Sequence, residues 1–209
     1  TAGQLALGYV SSIALSDLFS QSIQAFAQRF PDVHLTLVEC ASGSLGARVA
    51  DGRLDIGLSR LLPQNDEVQA LSLGEERLVA AVSSDSALAS QADISLAQLS
   101  AYPLILFPAD YGSGLNQSIE QLYRHHGVPL HTGPTGRQIT SIIALVAAGQ
   151  GVALVPACTR SLMNKGVTYR PLVEADACAR LLVLTPTERP SVLIDAFLAV
   201  IAEALHIRQ

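Results

Sequence analysis

Stretches of alternating residues and stretches of helical spacing succeed one another along this chain. Leu5, Leu7 and Tyr9 interleave with Ala6, Gly8 and Val10, the two-residue period of a strand, which runs to Ser11-Ser12. The period then lengthens. Leu15, Leu18, Phe19, Ser22, Phe26 and Phe30 fall on one helical face, with Ser16 as N-cap and Pro31 as a stop. Val33 to Cys40 alternates as a second strand, Ser44 to Asp51 reads as a short helix closed by Gly52, and Leu54 to Leu58 reads as a third strand. Strands this apolar, separated by helices, predict a largely parallel sheet covered on both faces.

The same grammar returns downstream. Leu78 to Val82 and Leu104 to Phe107 are strands, and the turn Gly112-Ser113-Gly114 opens a helix from Leu115 to His126. Ile139, Ile142, Ile143, Val146 and Ala147 form a helical stripe closed by Gly149, ahead of the strand Val152 to Val155. Val49-Ala50-Asp51-Gly52 and Val146-Ala147-Ala148-Gly149 both close a helix on glycine before a strand, which favours two similar lobes over one continuous sheet. The polar run Ser83 to Ser86 and the loose segment Ala157 to Ser161 are the expected crossings between lobes. Tyr169 to Leu172, Leu181 to Leu184 and a helix along Ile194, Phe197, Leu198, Ile201 and Leu205 then return to the first lobe. The expectation is an α/β fold of two Rossmann-like lobes with a hinge and an inter-lobe cleft. Residues 1–83 with 160–209 form lobe I, and residues 84–159 form lobe II.

Composition narrows the function classes. The 209 residues are 49% hydrophobic, enough for a full core, yet no run approaches the roughly 18 to 20 apolar residues of a membrane span. The formal net charge is −5 and no Lys/Arg cluster occurs, which argues against nucleic-acid binding by this chain. Three cysteines, Cys40, Cys158 and Cys178, lack ligand spacing and read as reduced thiols. With no secretory leader after Thr1, a cytoplasmic setting is expected. No GxSxG elbow accompanies the serines, and no Ser/His/Asp order stands out among His34, His125, His126, His131 and His206. His125-His126 closes a helix, where a cation meets the dipole favourably, and no metal-ligand spacing surrounds it. Neither an enzyme nor a metal or cofactor is expected.

What polarity remains gathers where strands end and helices begin: Ser11 and Ser12; Ser42, Gly43 and Ser44; Ser113 and Gly114; Thr135 to Gln138. Ligands of open α/β sheets bind beyond the strand carboxyl ends, and helix N-termini suit anions. Ile13, Phe107 and Leu115 are apolar neighbours fit to wall a ligand. Each serine is equally readable as a helix cap or turn residue. Arg137 is a carboxylate clamp if it points inward and a solvated side chain if it points outward.

Gly3-Gln4-Leu5-Ala6-Leu7-Gly8-Tyr9-Val10, FAQRFPDV (26–33), GRLDIG (52–57) and VAAGQGVALVP (146–156) occur in order and resemble the effector-binding domain of LysR-type transcriptional regulators. Ser11-Ser12, Gly57-Leu58-Ser59-Arg60 and Glu76-Arg77-Leu78 are similar to the branch governing benzoate, catechol and muconate degradation. The resemblance implies a fold like type 2 periplasmic binding proteins and a small aromatic or unsaturated carboxylate as effector. It implies effector contacts at Ser12 and Ser42 above all, and at Ser113 and Leu115; with Ser11, Ile13, Gly43, Phe107 and Pro156 these make up the expected ligand site. Arg60 matches an arginine of a second aromatic-acid site in that branch, and its competing reading is a surface or inter-lobe ion pair with Glu75 or Glu76. The loop Tyr111-Gly112-Ser113-Gly114 departs from the proline-rich form of that branch. Also implied are a winged helix-turn-helix and linker helix absent from these residues, DNA contact only through them, and a homodimer using helices near 16–29 and 115–126. The full-length protein is expected to be tetrameric. The competing expectation is a periplasmic solute-binding protein of a transporter. An enzyme on the same scaffold lacks a catalytic constellation.

Overall fold

The structure, a computed structural model, describes residues 3–111 and 113–208. They divide into two units, 1–74 with 181–209 and 75–180.

In unit 1, β1 (Gly3–Tyr9) runs parallel to β2 (Val33–Glu39) on one side and to β3 (Ile56–Ser59) on the other. Parallel neighbours require crossovers, supplied by α1 (Asp17–Arg29) and α2 (Ser42–Ala50). Ser16 caps α1 as its sequence position predicts, its Oγ accepting from the Phe19 amide at 3.2 Å. The Asp55 carboxylate accepts from the Ala6 amide (2.8 Å) while the Asp55 amide donates to the Ala6 carbonyl (2.9 Å), so this motif acid stitches β3's approach to β1. The sheet continues through β9 (Cys178–Pro186), antiparallel to β3, and then β4 (Val68–Ser83). It is therefore mixed rather than largely parallel. The last helix, α6 (Val192–Arg208), lays Phe197 against Phe26, with ring centroids 5.3 Å apart, and Arg29 pairs with Glu203.

Unit 2 is built on the second half of β4. It pairs antiparallel with β7 (Ala153–Pro156) from Leu78 to Ala81 and with β8 (Val167–Pro171) from Val79 to Ser83. The short helix α3 (Leu96–Leu99) begins in a Ser95/Gln98 capping box. A second, parallel pair joins β5 (Leu104–Leu106) to β6 (Thr132–Thr135), and a parallel bridge from Leu104 to Val152 ties β5 to β7. Crossovers α4 (Gly114–His125) and α5 (Ile139–Ala147) follow β5 and β6. Gly52 and Gly149 close α2 and α5 at φ +83° and +73°, the left-handed region that favours glycine.

The crossings differ from the expected 83/84 and 159/160. Residues 83–86 form a turn inside unit 2, and Ala157–Ser161 is a 3₁₀ turn before β8, which pairs with β4 in the same unit. The chain changes unit within two long strands instead: β4, with 16 residues, and β9, with 9. Among the described residues no helix is long and apolar enough to cross a membrane.

α2 packs closely on the sheet because β1 carries glycine beneath it. A Cβ on Gly8 would lie 2.4 Å from Leu54 Cδ1 and 2.7 Å from Leu45 Cδ1. Gly8→Ala should therefore destabilise the protein by about 1–3 kcal/mol through overpacking. Gly46→Ala, on α2 with its nearest atom 3.9 Å away, should stabilise by about 0.5–1 kcal/mol through helix propensity. Urea unfolding of both variants checks the opposite signs.

Candidate functional site

The parallel strands of unit 1 deliver three loops to one end of the sheet. After β1, Ser11–Ile13 forms a buried 3₁₀ turn. After β2, the Cys40 amide donates to the Tyr9 carbonyl at 2.9 Å, holding the start of α2 beside that turn. After β3 comes Arg60. The strand thus ends at Tyr9, short of the serines. Ser42 and Gly43 are not a loop before a helix at Ser44 but the first turn of α2, whose N-cap is Ala41. The Ser44 amide and hydroxyl both donate to the Ala41 carbonyl, each at 3.1 Å, which draws the helix start two residues upstream.

Arg60 is 1% exposed and Ser12 2%. Its Nε donates to Ser12 Oγ at 2.8 Å and its Nη2 to the Ser12 carbonyl at 3.3 Å. The surface reading of Arg60 is thereby corrected: a guanidinium inside the fold needs hydrogen-bond acceptors to offset its lost hydration, and Ser12 supplies two. Since Ser12 Oγ accepts from Arg60, its own proton points away from the guanidinium. Ser11, Ser12, Ile13, Ser42, Gly43 and Arg60 are thus brought to one end of one sheet.

Tyr9, at the same end, has its phenol pushed up by burial and then by Glu39. Burial likewise pushes the Cys40 thiol up, opposed by Arg48, whose Nη1 donates to Sγ at 3.5 Å. A thiol held protonated in this way is a core residue and not a nucleophile.

In unit 2, Phe107 follows β5 and is buried. Buried Asn116, on the first turn of α4, grips its backbone: the Phe107 amide donates to Oδ1 (3.2 Å) and Nδ2 donates to its carbonyl (2.9 Å). Sequence reasoning missed Asn116, since nothing local marks a helical asparagine as turned inward. Ser113 caps α4, its Oγ accepting from the Asn116 amide at 3.2 Å, and Leu115 is buried behind it. The adjoining Gly112, part of the predicted turn, lies outside the described residues. Pro156 ends β7, pairing with Leu78. Arg137 is exposed, with Cζ 6.0 Å from the Tyr111 ring centroid, and the Tyr111 and Phe107 rings lie 11° from parallel at 6.3 Å.

His126, the C-cap of α4, has Nε2 at 2.8 and 2.9 Å from the two oxygens of Asp176, and this contact holds the carboxyl of Asp176 below its ordinary range. Among the described residues no group of His, Cys, Asp and Glu is arranged to hold a metal ion.

Comparison with known proteins adds the family. The model of the LysR substrate binding domain matches residues 1–206. An uncharacterized HTH-type transcriptional regulator of Escherichia coli strain K12, YnfL, is 31% identical over 186 residues, covering 88% of this chain and 62% of its own length. The chain thus spans about three-fifths of the curated relatives it matches. In fold it is similar to the BenM effector binding domain with its effector benzoate, at TM-score 0.87 and 24% identity over 100% of this chain and 95% of that one. It is similar also to the effector binding domain of QuiR in complex with shikimate, at TM-score 0.86 and 18% identity over 99% and 97%. These neighbours share the architecture of type 2 periplasmic binding proteins, as expected from the sequence. Matched by that model over nearly its whole length, the chain belongs to the LysR-type regulators as their substrate-binding domain.

Proposed function

We propose that this chain is the sensing part of a bacterial transcription regulator, acting in the cytoplasm, and that it binds a small aromatic or unsaturated carboxylate beyond the carboxyl ends of β1 and β2. The observation that carries the reading is the Arg60–Ser12 pair. A guanidinium donating to Ser12 Oγ at 2.8 Å polarises the hydroxyl, which strengthens it as a donor to an anion. The buried positive charge stands one hydrogen bond behind, where the low dielectric amplifies it. Ser42 and Gly43, in the first turn of α2, add the positive end of a helix. The site binds charge mainly through neutral donors.

Benzoate and shikimate, the ligands named for two structural neighbours, are both carboxylates and support this class. Relatives named as regulators favour the reading over a transporter's solute-binding protein. On it, ligand acts by binding one conformation of the regulator more tightly than another, since equal affinity shifts nothing. DNA contact belongs to a region beyond these residues.

Ser12→Ala and Ser42→Ala should each weaken carboxylate binding by about one to two powers of ten, the worth of a hydrogen bond to a charged group at roughly 1.5–3 kcal/mol. Calorimetric titration with benzoate, muconate and aliphatic acids tests this. Unchanged affinity in both variants, or preference for neutral or cationic ligands, refutes the site.

Association is expected through α1 and α4. The apolar surplus anticipated on α1 amounts to half-buried Ile23; Ser20, Gln21, Gln24 and Gln28 are its exposed face. Sedimentation at high micromolar concentration should give a homodimer, and a monomeric mass there would refute this pairing. The chain alone should show no operator-specific retention in a gel shift, consistent with its charge of −5.

A further inference from the structure

We infer that Arg189 is a positioning residue for the carboxylate site of unit 1: it anchors the far end of α2 and so fixes where the first turn of that helix, Ser42 and Gly43, meets the ligand. The inference rests on the carboxylate reading above and adds the residue that holds α2 in place.

The two ends of α2 are finished differently. At the start its N-cap, Ala41, offers no side-chain hydrogen bond to the first turn. Beneath the helix the sheet carries Gly8 and Gly57, and Leu45 packs into the space they leave. Such packing sets how closely a helix lies on a sheet, but apolar burial is non-directional. Placement along the helix axis needs polar contacts, and the last carbonyls of any helix lack partners within it.

Arg189 supplies those contacts at the far end. The Leu54 amide already donates to the Arg48 carbonyl at 2.9 Å. Arg189 Nη2 adds bonds to the Val49 carbonyl, in the last turn of α2, and to the Leu54 carbonyl just beyond it, each at 3.3 Å. Leu54 adjoins Asp55, whose two bonds to Ala6 stitch it to β1, so the anchor runs from helix through guanidinium to sheet. The fit is close: a Cβ on Gly52, between the two carbonyls in sequence, would collide with Nη1. Asp66, Glu67 and Glu188 line the same cleft, yet among the described residues Arg189 forms an ion pair with none of them. A cation placed there also meets the negative end of the helix. Hydrogen bonds have normal lengths up to about 3.2 Å, so a slide of α2 by roughly 1 Å would carry Ser42 and Gly43 out of donor range.

The test combines hydrogen exchange with calorimetric titration of the whole chain against benzoate and muconate. Without ligand, Arg189→Gln should exchange amides 42–52 several-fold faster than wild type and leave those of β1 and β3 unchanged. It should weaken binding of both acids by about five-fold, and Arg189→Lys, which keeps a cationic donor, should restore affinity to within about two-fold of wild type. A role exerted through α2 also predicts coupling. Arg189→Gln should cost less than about two-fold when added to Ser42→Ala, and its full loss when added to Ser12→Ala, which lies on another loop. If Arg189→Gln lowers the melting temperature but binds as wild type while Ser42→Ala is weakened, the inference fails and the proposed function stands. Equal losses in the Ser42→Ala and Ser12→Ala backgrounds, or unchanged exchange across 42–52, overturn it as well. If wild type binds neither acid at millimolar concentration, both readings fall.

Discussion

Parallel pairing of β1 with β2 and β3 obliges each strand to hand the chain to a crossover before the next can begin. Strands that start at one edge then all finish at the other. That constraint gathers residues from three distant stretches, Ser12, Ser42 and Arg60, without any of them being near neighbours in sequence. It also sets the start of α2 beside the turn that follows β1, so backbone polarity and side-chain polarity accumulate at one edge. The β5–β6 pair repeats the device with Phe107 and Arg137.

Within that arrangement Arg60 sets the electrostatics. A guanidinium sealed in a fold is tolerated only where acceptors replace its water, and the two contacts to Ser12 tie that requirement to the loop after β1. The same bonds that make the cation tolerable also orient the serine, so a structural need and the proposed binding role fall on one pair of side chains. Asn116 is the corresponding fixture of unit 2, with a carboxamide whose donor and acceptor ends match one backbone unit.

Much of this was legible in the order of residues. Alternation located β1 and β2, Ser16 marked the start of α1, and Gly52 and Gly149 closed their helices at positive φ, because these features depend on neighbours a few residues away. The burial of Arg60 was not legible, since its partner lies 48 residues off and no local pattern distinguishes a sealed arginine from a solvated one. The first half of β4 escaped for a different reason. From Gln69 to Arg77 the strand is largely exposed on both faces, so no two-residue period develops and the pairing that holds it comes from β9. Misplacing the crossings between units followed from missing that half-strand.

The division of the chain has a consequence for synthesis. Unit 2 is one uninterrupted stretch, 75–180, whereas unit 1 is split around it. As the polypeptide leaves the ribosome, β1, β2 and β3 appear first but must wait: the strand that covers β3 is β9, and the ring that covers Phe26 is Phe197 on α6. Unit 2 is complete at residue 180, before the rest of β9 and α6 emerge. The part made first is therefore completed last, and until α6 arrives the apolar face of α1 stays open to chaperones or to aggregation.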